Sequence, residues 1–199
     1  TNLSQREFEH AIRETTLPSP ISELAAEYDA RIGIRDGYLW RWMSRLLPSF
    51  QLPCVPARRA DEANRQKLLL TMYITTVDDI VEYSGDKATF EQARKIPFPN
   101  QHADGSGSSV DTETLDFATR VWETLEDRLV ETPRYGEFED IFHFDIRQAL
   151  TAMEYSFLVS RRPELANGTS TDHYDCHNMV MFGYSDVDLM YSPGLELED

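Results

Sequence analysis

The chain has 199 residues, 41% of them hydrophobic and 11% aromatic, which is enough apolar material for one domain with a sizeable core. Its formal net charge is -16 at pH 7. Nucleic acids and anionic membranes are bound through clusters of Lys and Arg, so this charge argues against both as main partners. No apolar run is long enough to span a bilayer, and we expect no stable membrane insertion.

Cysteine content and the start of the chain bear on location. Cys54 and Cys176 are too few for a disulfide framework, and no charged-then-apolar leader opens the sequence. We therefore expect a cytoplasmic protein. The sequence indicates no particular oligomeric state.

Apolar residues recur with helical spacing through most of the chain, and strand-like alternation is absent. Prolines and glycines separate the periodic segments. We predict a first helix from Asn2 or Ser4 and further helices over residues 22–28, 36–47, 60–85, 112–130, 138–159 and 171–190. Residues 96–110, rich in Pro, Gly and Ser, are expected to form a flexible loop. The prediction is a single all-α domain over residues 1–199, with six or seven helices.

An acidic group ends the most apolar of these helices, in the stretch L-T-M-Y-I-T-T-V-D-D-I-V-E-Y-S-G. On a helix, Asp78 lies four residues and Asp79 three residues before Glu82, so all three side chains project to one side. Three hard oxygen ligands suit Mg²⁺, which keeps several waters and accepts phosphate oxygens. The alternative is a solvated acidic helix end, although acids at a C-terminus oppose the helix dipole.

An all-helical chain with D-D-I-V-E at the end of an apolar helix resembles the class I terpene synthases, also called terpene cyclases. The resemblance covers roughly residues 20 to 190. The segment F-E-D-I-F-H-F-D-I-R-Q-A-L-T-A-M-E-Y-S-F looks like the long helix on the far side of that family's cavity. The later segment S-T-D-H-Y-D-C-H-N-M-V-M-F-G-Y-S-D-V-D-L-M looks like the helix that is broken near its middle in the family.

The resemblance implies the isoprenoid synthase fold, a helical barrel around an apolar, aromatic pocket with magnesium at its mouth. It implies a lyase that ionises a linear prenyl diphosphate of the farnesyl or geranylgeranyl class, cyclises the carbocation and releases diphosphate. By the same resemblance, Asp78 and Asp79 are catalytic metal ligands and Glu82 assists them. The expected pocket residues are Ile74, Thr75, Phe157 and Asn178.

Two features of that family are not matched. The nearest counterpart of its second metal motif, N-D-x-x-S-x-x-x-E, is Asp188, Ser192 and Glu196. Pro193-Gly194 interrupts the helix that this spacing requires, and His177 and Asn178 stand where the family has a diphosphate-sensing Arg. We expect either that the C-terminal helices are missing from the chain, or that it is a non-catalytic helical binding module that keeps the fold.

Three further groups have alternative interpretations. The cluster His173, Asp175, Cys176 and His177 suits zinc or simply the start of a helix. Arg161-Arg162 suits a diphosphate clamp or a helix C-terminus. The aromatic residues at helical spacing suit the wall of a carbocation pocket, but are more typical of an ordinary core: Trp40, Trp42, Tyr73, Trp122, Phe157 and Phe182.

Overall fold

The computed structural model describes residues 5–32, 37–98, 110–162 and 172–194. These residues contain no β-strand, which confirms the all-α expectation. They form α1 (Gln5–Arg13), α2 (Ile21–Arg31), α3 (Tyr38–Leu46), α4 (Ala60–Asp79), α5 (Lys87–Ala93), α6 (Thr112–Leu129), α7 (Tyr135–Arg161) and α8 (Asp172–Tyr191). None of the described helices is both long and apolar enough to cross a lipid bilayer.

The helix boundaries follow the sequence closely in the second half of the chain, where α6 begins at the predicted residue and ends one residue early. The short α5 lies between the predicted helix 60–85 and the predicted loop 96–110, and it was not predicted. Asn2, Ser4, most of the predicted flexible loop and Glu196 lie outside the described residues.

Side-chain caps explain where α5 and α6 begin. Asp86 accepts hydrogen bonds from the backbone N–H groups of Ala88 and Thr89, and Asp111 does the same for the first turn of α6. The Thr89 hydroxyl also bonds Asp86, and this hydrogen bond lowers the pKa of the Asp86 carboxyl. The same hydroxyl accepts the backbone N–H of Asp111 at 2.8 Å, so the two helix starts are joined directly.

Helix α4 is largely buried, with thirteen of its twenty side chains buried, as its long apolar run predicts. It contacts α2, α3, α6 and α8. A column of aromatic rings fills the space toward α6 and α7: the Tyr73 and Trp122 ring centroids lie 5.0 Å apart, and Phe142 stacks on Trp122 at 6.0 Å. The core therefore surrounds the helix that carries the acidic group.

Helices α7 and α8 pack antiparallel, with Gly183 of α8 facing Ile146 of α7. A Cβ atom at Gly183 would lie 3.1 Å from Leu70 of α4 and 3.3 Å from Ile146, so glycine allows the three helices to approach closely.

A buried ion pair joins the C-terminal part of α8 to α4. The Lys67 ammonium lies 2.9 Å from one Asp188 oxygen, and both side chains are fully buried. The Leu52 N–H donates to the other oxygen at 2.8 Å, while Ser192 accepts from the Arg134 guanidinium at 2.9 Å. These contacts oppose the interpretation of Asp188 and Ser192 as a second metal motif, because both side chains are engaged inside the fold.

Candidate metal centre

The three predicted ligands come together where α4 ends. One carboxylate oxygen from each of Asp78, Asp79 and Glu82 lies within 4.8 Å of the other two. The local backbone differs from the regular helix that the spacing suggested, because α4 ends at Asp79 and Ile80–Ser84 form a wider, π-helical turn. Such turns occur frequently at functional sites.

Gly85 ends this π-helical turn, as the sequence predicted. Its φ of 59° is left-handed, a conformation that glycine adopts without steric cost. Its N–H bonds the Ile80 carbonyl at 2.9 Å across the turn, and its own carbonyl accepts a hydrogen bond from the Arg161 guanidinium. The turn that carries Glu82 is therefore closed by its own backbone and held by α7.

The three carboxylates differ sharply in exposure. Glu82 is exposed, Asp78 is half-buried and Asp79 is only 1% exposed. The buried Asp79 accepts a hydrogen bond from the hydroxyl of Tyr28, a fully buried residue of α2. The acidic group thus extends from the surface into the core, and its inner member has a hydrogen-bond donor from a distant helix.

The C-terminal end of α7 lies beside the π-helical turn and α5. Phe157 is buried and stacks on Phe90 of α5, with 6.0 Å between ring centroids. The Arg161 guanidinium lies 4.4 Å above the Phe157 ring, and Arg94 of α5 contacts Glu154 of α7 at 2.7 Å. Arg161 therefore acts as a helix C-terminal cation in contact with the turn, in line with one of its two predicted interpretations.

The predicted pocket residues differ in how far they are buried. Ile74 is buried and Thr75 half-buried, each about one turn before the acidic group; Phe157 packs as described. Asn178 lies on α8, but its side chain is outside the described part of the chain. Three cavities bounded by described residues, of about 400, 310 and 180 Å³, are lined by other residues of α1 to α4 and α6. The pocket therefore stays a prediction.

Most of the aromatic residues singled out in the sequence serve the core. Trp40, Tyr73 and Trp122 are buried. The Tyr73 hydroxyl donates to the Ala93 carbonyl at 2.8 Å, and burial raises the pKa of this phenol. Trp42 is half-buried and packs against the core, whereas Phe182 is 51% exposed. The packing thus agrees with the core interpretation for the buried rings.

Two further acidic side chains meet between α7 and α8. Asp186 is buried and contacts Asp145 of α7; burial, reinforced by the charge of Asp145, raises the pKa of Asp186 to about 7. No sequence pattern pointed to this pair, or to Tyr28 and Lys67, because each contact joins residues far apart in the chain.

The side chains of the proposed zinc cluster, His173 to His177, lie outside the described part of α8.

The donor set of the acidic group fits a divalent cation. Its atoms are carboxylate oxygens, the ligands that Mg²⁺ prefers, and one oxygen of each residue lies within 4.8 Å of the other two. Because Asp78 and Glu82 reach solvent, water and phosphate oxygens have access to the remaining coordination positions. The arrangement is a candidate site for a cation at the protein surface.

Comparisons with protein-family models, with curated proteins and with solved structures found no match. The functional assignment therefore depends on the residues and their geometry.

Proposed function

We propose that this chain is a class I terpene cyclase, with the helical fold of that family, which ionises a linear prenyl diphosphate in a magnesium-dependent reaction. The observation that supports it is the convergence of the Asp78, Asp79 and Glu82 carboxylates within 4.8 Å, at the end of an otherwise apolar helix. Like charges placed this close repel one another, so a cation among them would stabilise the arrangement.

In this proposal Asp78 and Glu82 hold the metal from the solvent side, and Asp79 completes the group from the core side. Mg²⁺ held by these three residues would supply positive charge beside the diphosphate leaving group. Ile74 and Val77, one turn or less away, are buried, and in this proposal they would limit the access of water to the inner side of the group. Farnesyl and geranylgeranyl diphosphates are the expected substrates, and cyclisation follows the shape of the pocket.

The second candidate is a non-catalytic helical binding module that keeps the fold. The ion pair of Asp188 with Lys67 favours it, because the nearest counterpart of a second metal motif is engaged inside the protein. Such a module would bind an apolar ligand without releasing diphosphate.

The test is turnover of farnesyl and geranylgeranyl diphosphates with Mg²⁺, with released diphosphate measured and hydrocarbon products identified by gas chromatography and mass spectrometry. We expect products that disappear with a chelator and return with added Mg²⁺. The double variant Asp78→Asn/Asp79→Asn should lose at least about a thousandfold in rate, because the metal supplies several kcal/mol of charge stabilisation.

The matched control is Asp116→Asn/Asp127→Asn, which removes the same charge from two exposed positions of α6. It should turn over at the wild-type rate. A wild-type chain that yields no product favours the binding module, and a double variant at positions 78 and 79 that still turns over contradicts the proposed site.

A further inference from the structure

Tyr28 connects the acidic group to the core. It lies on α2, is fully buried, and its hydroxyl donates to Asp79, fifty-one residues further along the chain. Its ring meets Trp40 edge-on at 5.1 Å and Phe117 at 5.8 Å. Because neighbouring rings from α3 and α6 hold the phenol, core packing sets where its hydroxyl points.

Asp79 is the member of the group whose orientation needs such a donor. Its side chain is 1% exposed, and a buried carboxylate without hydrogen bonds is costly. A carboxylate has several acceptor positions on its two oxygens, and Tyr28 occupies one of them on Oδ2. The hydroxyl therefore restricts the directions that Asp79 can present to Asp78 and Glu82.

The backbone changes its helical pattern directly after Asp79, so the orientation of the Asp79 side chain matters for the group. The regular pattern of α4 ends at Asp79, and the π-helical turn starts with the next residue. The regular α-helical hydrogen-bond pattern therefore stops between Asp79 and Glu82. The Tyr28 hydroxyl bonds Asp79, which is the last residue before this change.

We infer that Tyr28 is a positioning residue of the metal centre, which fixes Asp79 so that the three carboxylates take up one divalent cation. This inference rests on the metal-binding role given to Asp78, Asp79 and Glu82 in the proposed function. Groups that orient a metal ligand through a hydrogen bond are commonly worth a ten- to hundredfold change in metal affinity.

Tyr28→Phe tests the inference, since it removes the hydroxyl and keeps the ring that Trp40 and Phe117 contact. The matched control is Tyr73→Phe, which removes another buried hydroxyl, on α4 itself, that donates to the Ala93 carbonyl and not to a carboxylate of the acidic group. The probe is Mn²⁺, titrated into the full chain with and without inorganic diphosphate and followed by electron paramagnetic resonance, with melting curves recorded for each variant.

We expect Tyr28→Phe to weaken Mn²⁺ binding at least about tenfold and Tyr73→Phe to leave it within about twofold of wild type, even where both variants melt earlier. In a double-mutant cycle, Tyr28→Phe should add little to the loss caused by Asp79→Asn, because the hydroxyl acts through that carboxylate. Equal Mn²⁺ affinity for Tyr28→Phe and wild type would overturn the inference.

Two other outcomes also count against it. A wild-type chain that does not bind Mn²⁺ leaves nothing to position, and a Tyr28→Phe chain that fails to fold makes the hydroxyl a determinant of the fold. Turnover of prenyl diphosphates is measured separately. Wild-type Mn²⁺ binding with a tenfold loss in Tyr28→Phe but no hydrocarbon product would therefore support Tyr28 while contradicting the cyclase.

Discussion

Carboxylates have opposite environments beside the two halves of α4. Lys67, in the first half of α4, pairs with Asp188 of α8. Asp188 is fully buried against the Lys67 ammonium and the Leu52 N–H, so its charge is balanced inside the fold. At the other end, eleven residues or about 16 Å along the helix, Asp78 and Asp79 converge with Glu82 in a group that reaches the surface.

The difference separates a structural carboxylate from a candidate ligand. A carboxylate matched by a buried lysine is satisfied and has little to offer a ligand. At the acidic end of α4, three carboxylates lie close together near the surface, and the innermost of them, Asp79, accepts a hydrogen bond from the buried Tyr28 hydroxyl. Burial of acidic residues alone would not have distinguished the two ends.

The largest expected effect is on stability and follows from removing the ion pair between Lys67 and Asp188. Asp188→Asn leaves the Lys67 ammonium buried without its counter-charge, and we expect a loss of about 3–5 kcal/mol in the free energy of unfolding. Urea denaturation measures it. Asp78→Asn, at a half-buried position, should cost far less; similar losses for the two variants would contradict the comparison.

A smaller expected effect is a pH dependence of stability that comes from Asp186, the other buried acid of α8. Asp186 has a pKa of about 7, raised above the usual value near 4, so between these pH values the folded state binds more protons than the unfolded state. Its contribution to stability is present at low pH and is lost as pH rises toward and through 7.

Relative to Asp186→Asn, the wild type should lose at most about 2 kcal/mol between pH 5 and pH 6.5, because one proton is involved. Urea denaturation at each pH gives the difference. Asp145→Asn should also flatten the pH dependence, since its charge contributes to the shift. Parallel stability curves for wild type and Asp186→Asn would contradict the assignment.

The smallest effect concerns the turn at the acidic end. Gly85→Ala places a side chain at a left-handed residue, with its Cβ 2.9 Å from the Arg161 guanidinium, and should cost about 1–2 kcal/mol in the free energy of unfolding. Gly136→Ala, at a helical position of α7 with open space around the Cβ, is the control and should be neutral or slightly stabilising. Equal effects would show that the turn tolerates another conformation.

Local signals in the sequence were sufficient for much of the fold. The apolar period predicted α4, α6, α7 and α8, and Gly85 predicted the end of the acidic segment, because these features depend on residues close together in the chain. The helix α5 was missed because it is only seven residues long, with few apolar positions to show a period.

The candidate site was predicted in composition but not in structure. The D-D-I-V-E spacing brought Asp78, Asp79 and Glu82 forward, whereas the π-helical turn and the Tyr28 hydrogen bond have no local signature. Lys67 and Asp188 likewise lie 121 residues apart, so only tertiary packing pairs them. Contacts of this kind depend on how helices cross, which periodicity does not specify.

The hydrogen bond from the Asp111 N–H to the Thr89 hydroxyl has a consequence for variation of the chain. It joins the beginnings of α5 and α6 through their own residues, independently of the segment that connects the two helices. Insertions or deletions after Phe98, which itself packs in the core, would leave this hydrogen bond in place, and longer loops add little entropic cost. The contact between the two helix starts therefore does not depend on the length of the segment that joins them.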